Sequence, residues 1–397
     1  MVGSAHPTNC SLGYAVNVGI SLTAMLKTVT IENFRAFESF RLQNLGRLNL
    51  LVGKNNSGKT SILEAIQLLC SPNDLEPLLD TMGSRGESFW NDQDQEHKLD
   101  VRHLFHDHKI QLNRQCTVSG EHENIQAEFR ASIAVHDEDK ESDLSFEDNH
   151  KSNFFDKKID DFQTLDFRVE SIFGGENKSW RCPLSINGGL SISYILKGID
   201  IFKKSEPKTQ FIASSGLSSA EVIDLFDEIV LTPEEDLVVQ ALQTIEPRII
   251  RIATLSSERL KLPNAREGFL VRFSDSNQRI PIGSMGDGMW RILGLALATV
   301  GASNGVLLVD EIDTGLHFTA MSDMWKLVWE TAKRLNVQVF ATTHSSDCWM
   351  SLADIASRED TAEDGITIQR IEKGKETGVA FNREQILAAA KWDIEVR

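Results

Sequence analysis

Basic residues are in short supply in this sequence: 41 Lys and Arg stand against 58 Asp and Glu, a net charge of −17 over 397 residues. Broad electrostatic binding of nucleic acid, which rests on a basic excess, gains no support from that balance. Cysteine is scarce and scattered, at Cys10, Cys70, Cys116, Cys182 and Cys348. No two of them form a C-x-x-C pair and no spacing fits a zinc site, so reduced thiols in a cytoplasmic protein are expected. No run of about 18 apolar residues occurs, so no membrane span is expected. Residues 12–26 are weakly apolar, but Asn17 interrupts them and no Lys or Arg precedes them, which does not suit a signal peptide. A loose extension over 1–24 is expected instead, with the functional chain starting at Met25. Heptads and internal repeats are also missing, which excludes a long coiled coil or a solenoid.

What remains is an ordinary globular composition, 41% apolar and 25% charged. The length suits one large domain with insertions, or two lobes. Residues 26–34 (LKTVTIENF) alternate apolar and polar as a strand does, and 47–52 (RLNLLV) form a second short β-type run. Residues 61–69 (SILEAIQLL) repeat apolar positions at helical spacing. Residues 72–108 give no clear pattern. Alternating runs at 125–135, 167–173 and 190–196 predict strands, and the acidic stretch 136–161 predicts a solvated loop. Two helices are predicted around Thr232-Pro233 within 218–245, and β structure over 269–282. Residues 290–300 and 319–335 are predicted as helices, and 305–309 and 337–342 as buried strands. A helix, a short hairpin and a last helix near 383–391 are predicted after His344. The alternation of buried strands and helices in both end regions implies an α/β sheet.

The strongest chemical signal is Gly53-Lys54-Asn55-Asn56-Ser57-Gly58-Lys59-Thr60, which fits G-x-x-x-x-G-K-[ST], a phosphate loop. It follows a strand and opens a helix, as it must. Glycines let backbone N–H groups curl around phosphates, and the helix N-terminus adds partial positive charge. Gly53, Asn55, Asn56, Ser57, Gly58 and Ser61 are candidate nucleotide contacts. Lys59 would bridge the β- and γ-phosphates, and the Thr60 hydroxyl would ligate Mg²⁺. The second signal is the apolar strand 306–309 ending in Asp310-Glu311. Asp310 would hold the Mg²⁺ shell, and Glu311 would orient or deprotonate the attacking water. The third is His344, 33 residues after Glu311 and past one more helix and strand, where it can arrive beside the γ-phosphate.

Taken in order, IENFRAF, GKNNSGKT, LLVDEIDTGLH and VFATTHSSD resemble the ABC-ATPase head of the SMC, RecF and OLD-nuclease clan. The nearest likeness is to stand-alone RecF-like or OLD-like bacterial AAA ATPases, and it covers about 26–70 and 280–350. The resemblance implies an α/β P-loop NTPase of ABC-ATPase type with a β-rich lobe and an inserted helical and acidic segment. Residues 25–110 and 266–397 would form the head, and 111–265 the insertion. Asn33 and Arg35 join the nucleotide contacts on the same grounds. The family packs two heads around ATP, so Ser284 and Gly286, just before a predicted helix, become candidates for the γ-phosphate held by the partner head. Met285 and Asp287 depart from the usual Ser-Gly-Gly-Gln form. Asp313–His317 falls where the family places the loop that couples the two sites. The glutamine that senses Mg²⁺ and γ-phosphate in the family has no clear counterpart, although Gln93 and Gln95 lie in its region.

The implied function is ATP binding and hydrolysis, with Mg²⁺, driving closure and opening of a homodimer. That motion would be coupled to DNA or to a separate effector protein in repair or phage defence. The alternative is a regulatory module for a separate nuclease or toxin with little turnover of its own. A self-contained OLD-type nuclease is set aside, because 53 residues after His344 are too few for its nuclease domain. A transporter subunit is set aside because of the Asn33-Phe34-Arg35 opening and the departed signature. The His-rich stretch 102–108 reads as a polar turn rather than a metal site. Arg248, Arg251, Arg259, Lys261 and Arg266 read as a solvated face.

Overall fold

The computed structural model describes residues 25–72, 74–92, 95–122, 125–136, 165–185, 187–201, 208–254, 268–358 and 365–397. The expected extension at 1–24, nearly all of the acidic stretch 136–161, and Gln93, Arg259, Lys261 and Arg266 lie outside them.

The chain opens with β1 (Thr28–Phe34), β2 (Phe37–Leu42) and β3 (Leu48–Val52), then α1 (Lys59–Cys70) and α2 (Glu76–Gly83). There follow β4 (Ser88–Asn91), β5 (Glu96–Asp100), β6 (Gln115–His122), β7 (Ile125–Val135), β8 (Leu165–Phe173), β9 (Glu176–Pro183) and β10 (Gly189–Ser191). Next come α3 (Ile192–Ile201), β11 (Thr209–Ile212), α4 (Ser219–Ile229), α5 (Pro233–Gln243), β12 (Ile249–Thr254), β13 (Phe269–Phe273) and β14 (Arg279–Pro281). The last part holds α6 (Asp287–Gly301), β15 (Val306–Val309), α7 (Phe318–Arg334), β16 (Gln338–Thr343), α8 (Ser346–Ala356), β17 (Ile366–Arg370), β18 (Val379–Phe381) and α9 (Arg383–Lys391).

Two six-stranded sheets organise these elements. One is antiparallel, in the order β2-β1-β6-β7-β8-β9. The other, β11-β15-β16-β3-β17-β18, is parallel except for its last strand. Residues 111–265, read from the sequence as an insertion, contribute β6–β9 to the sheet begun by β1 and β2, and β11 to the edge of the parallel sheet. The central strands β3, β15 and β16 are buried at every position because both faces of the sheet are covered. In β15, Val306 and Leu308 join the core around α1, whereas Leu307 and Val309 join the core around α6 and α7. In β16, Phe340 and the pair Val339 and Ala341 divide in the same way. Helix α1 lies between the two large sheets, with Ile62 and Ile66 in one cluster with Ile31, Val118 and Phe340. Every residue of α1 is buried except Thr60.

Thr232 caps α5 and Pro233 occupies its first turn, as the dipeptide predicts. Residues 192–196 depart from the predicted strand: β10 ends at Ser191 and α3 begins. Ile192, Ile195 and Ile199 all meet the core at helical spacing, and the Glu96 carboxylate binds the Ser191 and Ser193 hydroxyls at the helix start. The apolar run suits either period; the helix start decides it.

Close approach of backbones fixes the edge of the parallel sheet beside β15. A Cβ added at Gly305 would lie 1.9 Å from the Lys208 carbonyl oxygen. Gly305→Ala is expected to cost about 1–3 kcal/mol through forced backbone displacement. Thermal denaturation reads this directly, and an unchanged midpoint would contradict the tight β11–β15 junction.

Candidate nucleotide site

The end of β3 delivers the chain to a loop that only glycine can close at two points. Gly53 has φ 146°, and a Cβ there would meet the Ile371 carbonyl oxygen at 2.3 Å. Gly58 has φ 99°, and its Cβ would meet the Phe37 ring at 2.4 Å. Between them Asn56 adopts φ 59°, a conformation Asn tolerates better than most residues. The loop therefore wraps back on itself and hands over to α1.

Lys59, 5% exposed, turns its Nζ into the loop. It donates to the Gly53 and Lys54 carbonyls at 2.8 and 3.0 Å and lies 3.3 Å from His344 Nδ1. Burial pushes its pKa down to about 8, against the pull of Asp310 and Glu311. Ser57 Oγ is buried without a hydrogen-bond partner beside the same loop. A confined cation and an orphaned hydroxyl fit a polyphosphate, which would satisfy both.

The parallel sheet brings the acids to this loop, since β16 lies beside β3 and β15 lies next to β16. Thr60 Oγ1 donates to the Asp310 carboxylate at 3.1–3.2 Å. A hydroxyl and a carboxylate at this spacing are the hard oxygen donors that suit Mg²⁺. Thr342 Oγ1 donates to Asp310 Oδ1 at 2.6 Å and accepts from the Glu311 N–H at 2.8 Å. Glu311 has φ 47°, which for a residue with a side chain costs about 1–2 kcal/mol. Its carboxylate takes a hydrogen bond from Thr314 Oγ1 at 3.2 Å and stands 3.5 Å from His344 Nε2.

These residues meet in one cleft of about 640 Å³. Arg35, Asn55, Asn56, Ser57, Gly58, Lys59, Thr60, Ser61, Asp310, Glu311 and His344 all line it. Arg35 in the β1–β2 turn and Asn33 near the end of β1 separate. The Arg35 guanidinium pairs with Glu87 and lies 2.9 Å from the Glu64 carboxylate, which Arg85 also binds. Burial raises the pKa of Glu64, and Arg35 and Arg85 oppose the rise. Asn33, grouped with the nucleotide contacts by resemblance, instead bonds to the Gln115 carbonyl and accepts from Arg114. That position fixes the turn and leaves its side chain outside the cleft lining. Gly53 is also outside the lining and contributes its carbonyl to Lys59. Ser284 and Gly286 are exposed at the start of α6 and do not line this cleft. A Cβ at Gly286 would meet nothing within 4 Å, so the space before α6 is open. Gln95 is exposed in the turn before β5 and is not among the lining residues.

Sequence reasoning missed Arg85, Glu87, His103 and His108, which also line the cleft. His103 and His108 come from the His-rich stretch, their Nδ1 atoms 3.4 Å apart. Among the described residues no group of three or more His, Cys, Asp or Glu could hold a metal ion. Arg248 pairs with Glu246 and Asp275 on an exposed face. No helix is long and apolar enough to cross a membrane, among the described residues.

Comparison with known proteins agrees with this arrangement. Residues 25–179 match the family model of an AAA ATPase domain, and residues 197–347 match that of an "AAA domain, putative AbiEii toxin, Type IV TA system". An ATP/GTP phosphatase of Helicobacter pylori is 20% identical over 357 residues, 84% of this chain and 89% of that protein. The DNA replication and repair protein RecF of Clostridioides difficile is 48% identical over 44 residues, which is 11% of this chain and 12% of RecF. Among solved structures, the Smc head domain bound to the C-terminal domain of ScpA from Pyrococcus furiosus aligns over 93% of this chain and 99% of that one, at 12% identity and a TM-score of 0.45. The SMC head domain of Thermotoga maritima aligns over 90% of this chain and 98% of that one, at 11% identity and a TM-score of 0.39. A phosphate loop after β3 and paired acids after β15 thus stand in a chain whose two halves each match an AAA-type ATPase domain.

Proposed function

We propose that the cleft binds ATP with Mg²⁺ and hydrolyses it to ADP and phosphate. The observation that carries this reading is the meeting of Lys59, Thr60, Asp310, Glu311 and His344 in one cleft. Lys59 exchanges its loop carbonyls for β- and γ-phosphate oxygens, and the loop N–H groups supply the remaining donors. Thr60 and Asp310 hold Mg²⁺, which neutralises charge on the phosphates. Glu311 takes a proton from the water that attacks the γ-phosphorus as the bond to ADP breaks. His344, within reach of both Lys59 and Glu311, orients that water and the departing phosphate.

In this reading two copies close around the nucleotide. The exposed start of α6, with Ser284 and the Gly286 N–H, meets the γ-phosphate of the partner head. ATP then favours the closed pair because only the closed pair makes those contacts. The work is delivered to DNA or to a separate effector. RecF is by name a DNA replication and repair protein, the P. furiosus head was solved with ScpA, and one matched model is described by a toxin. The net charge of −17 favours an effector over unspecific DNA contact.

Solution mass tests the pairing. The Glu311→Gln variant should pass from monomer to dimer when Mg-ATP is added. Adding Ser284→Arg to it, at an exposed site, should preserve ATP binding and abolish the dimer. An unchanged mass with ATP demonstrably bound would overturn the paired-head reading.

A further inference from the structure

Helix α6 is apolar and buried from Met289 to Gly301, with one charged residue, Arg291. A buried guanidinium needs partners for its N–H groups. Arg291 finds them in main-chain carbonyls: Nη1 donates to Ala213 O at 3.2 Å, and Nη2 to Asp310 O at 3.1 Å and Glu311 O at 3.0 Å. It is 8% exposed. Burial lowers its pKa, opposed by Asp313, Asp310 and Glu311. All three of these acceptors are main-chain oxygens. Its fork grips the backbone where β15 turns into the left-handed residue Glu311.

The other side of that turn is held by Thr342, which is fully buried. One hydroxyl has one proton to give and lone pairs to receive. Thr342 gives to Asp310 Oδ1 and receives from the Glu311 N–H. The N–H and the C=O of Glu311 are thus each clamped, one by β16 and one by α6. A backbone at φ 47° persists only when its surroundings over-determine it. The direction in which the Glu311 carboxylate leaves the strand depends on this conformation.

We propose that Arg291 and Thr342 are positioning residues for hydrolysis, holding Glu311 in its left-handed turn so that its carboxylate meets the attacking water. Neither side chain lines the cleft, so each acts on turnover through the Asp310–Glu311 turn it holds and not through nucleotide contact. The proposal rests on the reading of Glu311 as the base.

The test compares steady-state ATP turnover and equilibrium ATP binding in Arg291→Lys, Thr342→Val, Thr342→Ser and Glu311→Gln. Lysine keeps the charge but offers one point donor in place of the fork. Valine keeps the volume of threonine and loses the hydroxyl; serine keeps the hydroxyl. Arg291→Lys and Thr342→Val should each lower kcat by on the order of 10²-fold, as a displaced catalytic group does, with ATP affinity changed by less than about threefold. Thr342→Ser should restore kcat to within about threefold of the parent. Arg291→Lys placed on Glu311→Gln should cost no further turnover, because the group it positions is already gone. Parental kcat in Thr342→Val, or equal losses in Thr342→Val and Thr342→Ser, overturns the proposal while Glu311→Gln is inactive. A parallel loss of ATP affinity in Arg291→Lys also overturns it. Parental turnover in Glu311→Gln itself overturns the assignment of the base, and the positioning proposal with it.

Discussion

Replacing Glu311 by Gln is expected to lower kcat by about 10²- to 10⁴-fold, the range a positioned general base contributes. The amide keeps the shape of the carboxylate and can still accept from Thr314, so the turn and the cleft persist. What is lost is the ability to take a proton. ATP binding should survive, because Lys59, Ser57 and the loop N–H groups are untouched. Single-turnover hydrolysis beside a direct binding measurement separates the two effects. Turnover at the parental rate would remove Glu311 from the chemistry and leave His344 as the nearest candidate for the base.

Lys59→Ala should act on the other term. It removes the cation that would face two phosphate oxygens in a buried site. Hydrogen bonds to charged groups contribute about 1.5–3 kcal/mol each, so ATP affinity should fall by on the order of 10²-fold. The protein without nucleotide should not be destabilised to match. The folded-state pKa of Lys59 is lowered from 10.5 to about 8, so the folded chain holds this proton less tightly than the unfolded chain. The charged lysine is therefore a cost to folding at neutral pH, one that is relieved as pH rises from about 8 towards 10.5. Near-parental affinity in this variant would place the phosphates elsewhere. A large loss of stability without nucleotide would mean that Lys59 chiefly braces the loop.

The phosphate loop, the acids after β15 and His344 were legible because each sits where a periodic strand ends, and strand and helix periods were strong in both end regions. The pairs 125–135 and 383–391 coincide with β7 and α9 as observed. Residues 72–108 were not legible. They hold short elements, α2, β4 and β5, whose strands alternate too briefly to show a period. Arg85, Glu87, His103 and His108 reach the cleft from that region through tertiary packing: the main chain at Leu104 and His106 bonds to that at Arg35 and Asn33. Arg291 and Thr342 did leave a trace. One is a charge within an otherwise apolar helix, and the other a hydroxyl at the end of a buried strand, but nothing local says what they hold.

The position of β3 has a consequence for how the protein is made. Leu48 pairs with Val339 on one side and Ile366 on the other. The strand that bears the phosphate loop therefore waits on the ribosome for neighbours encoded far downstream, on the order of 15–60 s at ordinary elongation rates of about 5–20 residues per second. For most of that interval both edges, and the face that carries Leu48, Leu50 and Val52, have no native partner, which makes the nascent chain a client for chaperones. Nucleotide cannot template this region early. Capture of ATP reports that the C-terminal strands have already docked, so a truncated or stalled product carries an intact motif and no working site.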